Sequence, residues 1–264
     1  MFGHQFYHQT TRRYVAIFGT LFNDITIKRA NNAGSVVQTM KVPLSYGPSQ
    51  KFLSRITQDP TFTAPAITLP RMSFELTSMN YDGERKLTNM MVNTRGTVAN
   101  DRLRTQFTPA PYNLEFELNI MAKYSEDGTK ILEQILPFFK PDFTVTAKLI
   151  DEMDMLVDIP VVLNSVSSED TYEGSYEERR VLTWTLRFTL KGYYYGPITE
   201  KKVIKFANTN LYSALTANNA NSRIIVQPGL TANGEPTTDI SETVPYSSIN
   251  IDDDWAYIVR IENL

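Results

Sequence analysis

The clearest patterns in this chain are alternations of apolar and polar residues, which predict β-strands with one buried face. The alternation is cleanest over 69–76, 114–121 and 182–191. Since every second side chain of a strand lies on the same face, each segment has a core face and a solvent face. Basic and hydroxyl residues on the outer face of 182–191 are typical of an antiparallel sheet with one solvated side.

Two segments have the helical period instead. The hydroxyl residues Thr10 and Thr11 are predicted to cap the start of the first helix, and its apolar stripe has the spacing i, i+3, i+4, i+7 and i+8. A second helix is predicted to begin near Ser125 and to end at Pro137. The stripe of the first helix consists of Tyr14, Ile17, Phe18, Leu21 and Phe22.

Together these elements predict the α+β class: a mainly antiparallel twisted sheet flanked by a few helices, with long loops and an extended C-terminal arm. Residues 80–112 lack a clear period and predict a long functional or partner-bound loop. The predicted domains are therefore an α+β core over 1–206, which contains this loop, and an arm over 207–264. The arm ends in an alternating segment, 258–264, which either pairs with its own sheet or docks on another subunit.

Composition narrows the function classes. Hydrophobic residues make up 42% of the 264 positions, enough for a folded core. The absence of cysteine excludes disulfides and thiolate metal sites and fits a reducing cytoplasm. The first residues lack the apolar region of a signal peptide, and no apolar run approaches the roughly 18 residues of a membrane span, so we expect no membrane association.

The charge is unevenly distributed along the chain. Residues 1–55 carry seven Lys and Arg against one acid, and residues 232–264 carry seven acids against one Arg. This layout predicts contacts between the two ends, within or between subunits, or else two solvated faces that never meet. The interface candidates are Arg12, Arg13, Lys28, Arg29, Lys41, Asp252, Asp253, Asp254 and Trp255.

Candidate metal and catalytic residues are few. His4 and His8 have a spacing that suits a metal on a helix, but no third ligand is evident, and we predict no metal site and no cofactor. Glu115 and Glu117 share a strand face, as paired carboxylates of a hydrolase or as ordinary solvent-side residues. No phosphate-binding loop or nucleophile motif occurs in the sequence. We therefore predict that the chain is not an enzyme, with a carboxylate-dependent hydrolase as an alternative.

A nucleic-acid-binding module is a second alternative. The basic residues of 1–55 are dispersed over a predicted helix, hairpin and loop, and no recognised reading module is present. The run 193–195 of three tyrosines suits a stacking platform, or it packs in a core or a protein interface. We expect no direct reading of nucleic acid.

Four segments, taken in order, resemble the tail sheath stabilizer, or tail completion, protein family of contractile-tailed bacteriophages. They are RRYVAIFGTLFNDITIKR (12–29), LPRMSFEL (69–76), ILEQILPFFKPDF (131–143) and WTLRFTLKGYYYGP (184–197). The resemblance implies a non-enzymatic ring, hexameric in the family, at the head-proximal end of the tail. It also implies tail sheath protein, tail tube terminator and neck or connector proteins as partners, and a place in the virion after assembly in the host cytoplasm.

Overall fold

The computed structural model describes residues 5–30, 36–52, 69–97, 102–171, 181–202, 204–213 and 220–263. The chain divides into two compact units. The first unit consists of Met1–Leu87 and Pro109–Tyr195, and the second of Thr88–Thr108 and Gly196–Leu264. This division differs from the predicted boundary at residue 206, because the second unit begins earlier and also includes 88–108.

Two α-helices lie completely within the described residues, α1 (Thr10–Phe22) and α2 (Ser125–Ile135), and a 3-10 turn (Leu136–Phe138) follows α2. Residues 49–52 are helical as well. None of the helices in the described ranges is long and apolar enough to cross a membrane. The strands, numbered along the chain, are β1 (Thr26–Ala30), β2 (Val36–Lys41), β3 (Leu44–Tyr46), β4 (Arg71–Tyr81), β5 (Val92–Thr97), β6 (Arg102–Phe107), β7 (Ala110–Ala122), β8 (Asp142–Lys148), β9 (Leu156–Thr171), β10 (Val181–Tyr194), β11 (Thr199–Lys202), β12 (Ala207–Leu211), β13 (Ser222–Gly229) and β14 (Ala256–Asn263).

A six-stranded sheet forms the centre of the first unit, in the order β3-β4-β7-β10-β9-β8. All its neighbours are antiparallel except β3 and β4, and β1 and β2 form a separate antiparallel hairpin. The three best sequence alternations correspond to β4, β7 and β10, which are adjacent in this sheet. The predicted α+β class with a mainly antiparallel sheet is confirmed.

Helix α1 packs its aromatic stripe on the sheet. Phe18 is fully buried, stacks on Phe116 at a centroid distance of 4.4 Å, and meets Phe188 edge-to-face at 5.3 Å. Tyr14 and Phe22 of the predicted stripe are also buried. The predicted hydroxyl cap is wrong, because Thr10 already belongs to the helix and the residue before it, Gln9, makes no side-chain cap bond.

The opposite face of the sheet is only partly solvated. Met121 of β7, which alternates with the core residues, is buried in a second small cluster with Phe52 and Val181. Asn119 and Ser73 on the same face are buried as well. The expectation of one fully solvated face therefore applies only to the part of the sheet that lies away from this cluster.

The second unit contains two three-stranded antiparallel sheets, in the orders β11-β6-β5 and β12-β13-β14. Strands β5 and β6 lie where the sequence predicted a loop over 80–112. They were missed because their sequences, VNTRGT and RLRTQF, have polar residues on both faces. Strand β14 pairs with β13 of its own unit, so the end of the predicted arm is part of a sheet.

Candidate assembly surfaces

The basic residues predicted as interface candidates are partly committed within the first unit. Arg13 donates to Asp151 at 2.6 Å and to the backbone carbonyls of Lys148 and Leu149, each at 2.9 Å. The hydrogen bond from Arg13 to Asp151 holds the pKa of the Asp151 carboxyl below its usual range. Arg13 therefore ties α1 to the loop after β8.

Arg29 and Lys41 are also paired with acids of the same unit. Arg29 of β1 donates to both oxygens of Asp127, a buried carboxylate in the first turn of α2. Lys41 forms an exposed ion pair with Asp24 at 2.7 Å. Arg12 and Lys28 are exposed. Three of the five basic candidates, Arg13, Arg29 and Lys41, are thus paired with acids of the same unit. A role of the five basic candidates at an interface stays a prediction.

The acidic candidates lie just before β14 in the second unit. The carboxylate of Asp253 accepts the backbone N–H of Asn250 at 2.8 Å, which closes a tight turn. Asp252 lies directly against Gly96 of β5, where a Cβ would meet its carboxylate.

The last two candidates lie next along the chain. Asp254 is exposed, and Trp255 packs edge-to-face on Tyr257 at 5.0 Å.

The candidate metal residues gain no support from their surroundings. His8 lies in the segment before α1 with its ring tilted on Phe6, and His4 is outside the described residues. Over the part of the chain that the structure describes, no group of three or more His, Asp or Glu side chains is placed to hold a metal ion.

The paired glutamates of β7 take part in ordinary contacts across the sheet. Glu115 is exposed and accepts a hydrogen bond from Asn80 at 3.3 Å. Glu117 accepts a hydrogen bond from Asn119 at 3.1 Å and lies 3.7 Å from Arg187 on β10.

A like-charge pair crosses the sheet on the other side of Glu117, where this residue faces Glu75 of β4 in register. Burial raises the pKa of Glu75, and the neighbouring carboxylate raises it further.

This like-charge pair gives a testable pH dependence. Because the folded-state pKa of Glu75 is raised, its ionised form opposes folding, and the cost grows as pH rises through the carboxyl range. Glu75→Gln is expected to increase the free energy of unfolding at pH 7 by roughly 0.2–1 kcal/mol. The gain should disappear at about pH 3, where the carboxyl is protonated in both states. Urea unfolding at the two pH values measures it, with Glu115→Gln as the control, and an equal gain at both pH values would contradict this origin.

The three tyrosines 193–195 are packed rather than presented as a platform. The Tyr14 hydroxyl donates to the carbonyl of Tyr193 at 2.7 Å and accepts from its N–H at 2.6 Å. Tyr194 meets Tyr112 edge-to-face, and Tyr195 is buried. Burial raises the pKa of Tyr14 and of Tyr195.

The second unit has an exposed apolar surface on its last strand, within the C-terminal segment where the sequence predicted either sheet pairing or docking on another subunit. Tyr257, Val259 and Ile261 alternate along β14, at the edge of its sheet, and are 62–68% exposed. Their partners on β13 include Val226 and Ile224, so the surface continues across two strands. We call these five residues the C-terminal apolar face. The residue between two of them, Ile258, is only 4% exposed and lies on the opposite face of the sheet.

A second exposed apolar surface is a groove in the first unit, with a volume of about 590 Å³. It lies where the C-terminal ends of α1 and α2 approach β8, and we call it the helix-end groove. Phe138 in its wall is 65% exposed. Its charged lining residues are Asp24 and Glu133. The phenylalanines that line it are Phe22, Phe138, Phe139 and Phe143.

Comparison with known proteins gives the class to which the chain belongs. A family model described as "T4-like virus Myoviridae tail sheath stabiliser" matches residues 5–259. The chain therefore belongs to this family and is a structural virion protein of a contractile phage tail. A similar protein is "Tail completion protein gp15" of Enterobacteria phage T4, which is 30% identical over 209 residues, covering 76% of this chain and 75% of the relative. The family resemblance seen in four sequence segments is confirmed.

Proposed function

We propose that this protein forms a hexameric ring at the head-proximal end of a contractile tail, where it caps the tail tube and sheath and joins the tail to the neck. Membership of the sheath stabiliser family supports the sheath contact, and the relative's name, tail completion protein, supports a place at the end of the tail. The ring assembles in the host cytoplasm and then becomes part of the virion.

The observation that carries the proposal is the C-terminal apolar face. An edge strand with large exposed apolar side chains invites association, and natural proteins usually protect such edges with charge or cover them. On β14 the exposed side chains Tyr257, Val259 and Ile261 have no charged residue between them on that face. In an assembly in which a partner protein covers this face, non-specific association through the edge strand is prevented.

We assign the sheath protein to this face, because the family is described by its action on the sheath. The tail tube terminator and the neck or connector proteins are the proposed partners of other surfaces of the ring. No catalytic step, cofactor or direct reading of nucleic acid belongs to the proposal. Engagement of Glu115 and Glu117 in cross-strand contacts, and of Arg13 and Arg29 with local acids, supports this view.

The ring is tested on the purified full-length protein. Native mass spectrometry should give a species of six chains, and negative-stain images should give ring-shaped particles with sixfold symmetry. A protein that stays monomeric at micromolar concentration, alone and with isolated tails, would contradict the proposal.

A further inference from the structure

The helix-end groove has the properties of a binding site for an aromatic segment. Its wall contains four phenylalanines, and one of them, Phe138, stays largely exposed. Aromatic rings gain both from burial of area and from ring-on-ring contacts in such a groove. The charged side chains that line it, Asp24 and Glu133, are both acidic, although Lys41 pairs with Asp24. An aromatic segment followed by a cation therefore suits it best.

The same chain carries such a segment at the other end of α1. Phe6 and Tyr7, which we call the N-terminal aromatic segment, are 50% and 74% exposed. Arg12 follows them on the first turn of α1 and is exposed. A basic, aromatic element and an acidic, aromatic groove are thus presented by one subunit on two different surfaces.

The groove and the segment of one subunit are kept apart by the helix between them. Helix α1 has 13 residues and is therefore about 20 Å long. The groove is built at its C-terminal end, beside Phe22, and the segment precedes its N-terminal end. A contact between the two consequently needs a second copy of the chain.

We propose that the N-terminal aromatic segment of each subunit docks in the helix-end groove of the next subunit. This contact is head-to-tail, so it joins two different surfaces and closes into a ring when the rotation between subunits allows it. It rests on the proposed ring and specifies which surfaces build it. Arg12 then lies toward the acidic rim, near Glu133, and sets the direction of docking.

Because the chain contains no cysteine, pairs of introduced cysteines test this contact directly. Gln5→Cys and Gln134→Cys place one thiol beside the segment and one in the groove, and both positions are exposed. With a short thiol cross-linker, the double variant should give a ladder of covalent oligomers on a denaturing gel. The control pair, Gln5→Cys with Ser165→Cys at an exposed position of β9, should give no ladder.

The outcomes separate this contact from the ring itself. A ring in native mass spectra with no ladder from the groove pair overturns the docking while the ring stands. A wild-type protein that forms no oligomer overturns both.

A charge exchange gives an independent readout. Arg12→Glu and Glu133→Arg should each weaken association at least tenfold, and the two together should restore it. Lys201→Glu, an equal change of charge on an exposed residue of β11, should have no effect. A double variant as weak as the single variants overturns the docking, as does the absence of the ladder.

Discussion

Replacing Phe18 with alanine is expected to lower the free energy of unfolding of the first unit by about 3–5 kcal/mol. Phe18 is fully buried and contacts the rings of Phe116, Phe188 and Phe74, so its removal leaves a cavity between α1 and three strands. In a Trp255→Phe background, Trp184 is the remaining tryptophan and reports on the first unit during urea unfolding.

The matched control for this prediction is Phe138→Ala. Phe138 is 65% exposed, so its truncation should change the free energy of unfolding by no more than about 0.5 kcal/mol. A loss below about 1 kcal/mol for Phe18→Ala would show that α1 is peripheral to the core, since such values belong to surface changes.

Val259→Asp is expected to weaken binding to the sheath protein strongly while the chain stays folded. Val259 is 62% exposed at the centre of the C-terminal apolar face, so a carboxylate there remains solvated in the free protein. In the complex the same carboxylate would be buried without a partner, which costs several kcal/mol and should lower the affinity by at least a hundredfold. Pull-down with sheath protein, together with far-UV circular dichroism, measures the two effects.

The neighbouring position gives the contrast. Ile258 is 4% exposed, so Ile258→Asp places the charge inside the second unit and should unfold it, with loss of that unit's share of the β-sheet signal. Binding by Val259→Asp at the wild-type level would show that the C-terminal apolar face is not the sheath contact.

The parts of the fold that the sequence predicted well are those with one buried face. Strands β7 and β10 alternate because one side packs under α1, and burial selects apolar residues at every second position. In helix α1 burial of one face selects apolar residues with the helical period of 3.6, and Phe18 lies at the centre of the buried stripe. In each case a strong difference in burial leaves a pattern in a single sequence.

The parts that could not be predicted have weak or two-sided burial. Strand β6 has one buried side chain, Gln106, which donates to the carbonyl of Gly196 at 2.7 Å. Such a strand depends on backbone pairing, which needs no particular order of side chains, so no alternation marks it. The partners of the charged residues were equally hidden, because Arg29 and Asp127 are 98 positions apart and only the fold brings them together.

The candidate surfaces were also hard to predict from the sequence alone. Alternation near the C-terminus was visible, but Ile258 and Val259 are both apolar, and only the structure assigns one to the interior and the other to solvent. The helix-end groove combines α1, α2 and β8, so its phenylalanines are scattered over more than a hundred positions. A groove of this kind leaves no local signal in the sequence.

The stability of an assembled sheath tests the proposed role of this protein most directly. Sheath protein polymerised on tail tubes is diluted with and without the purified protein, and the fraction of intact sheaths is counted in negative-stain images. We expect intact sheaths to persist only with the protein, with gold-labelled protein at one end of each tail. Equal loss of sheaths with and without it, or label along the whole sheath, would contradict the proposed role.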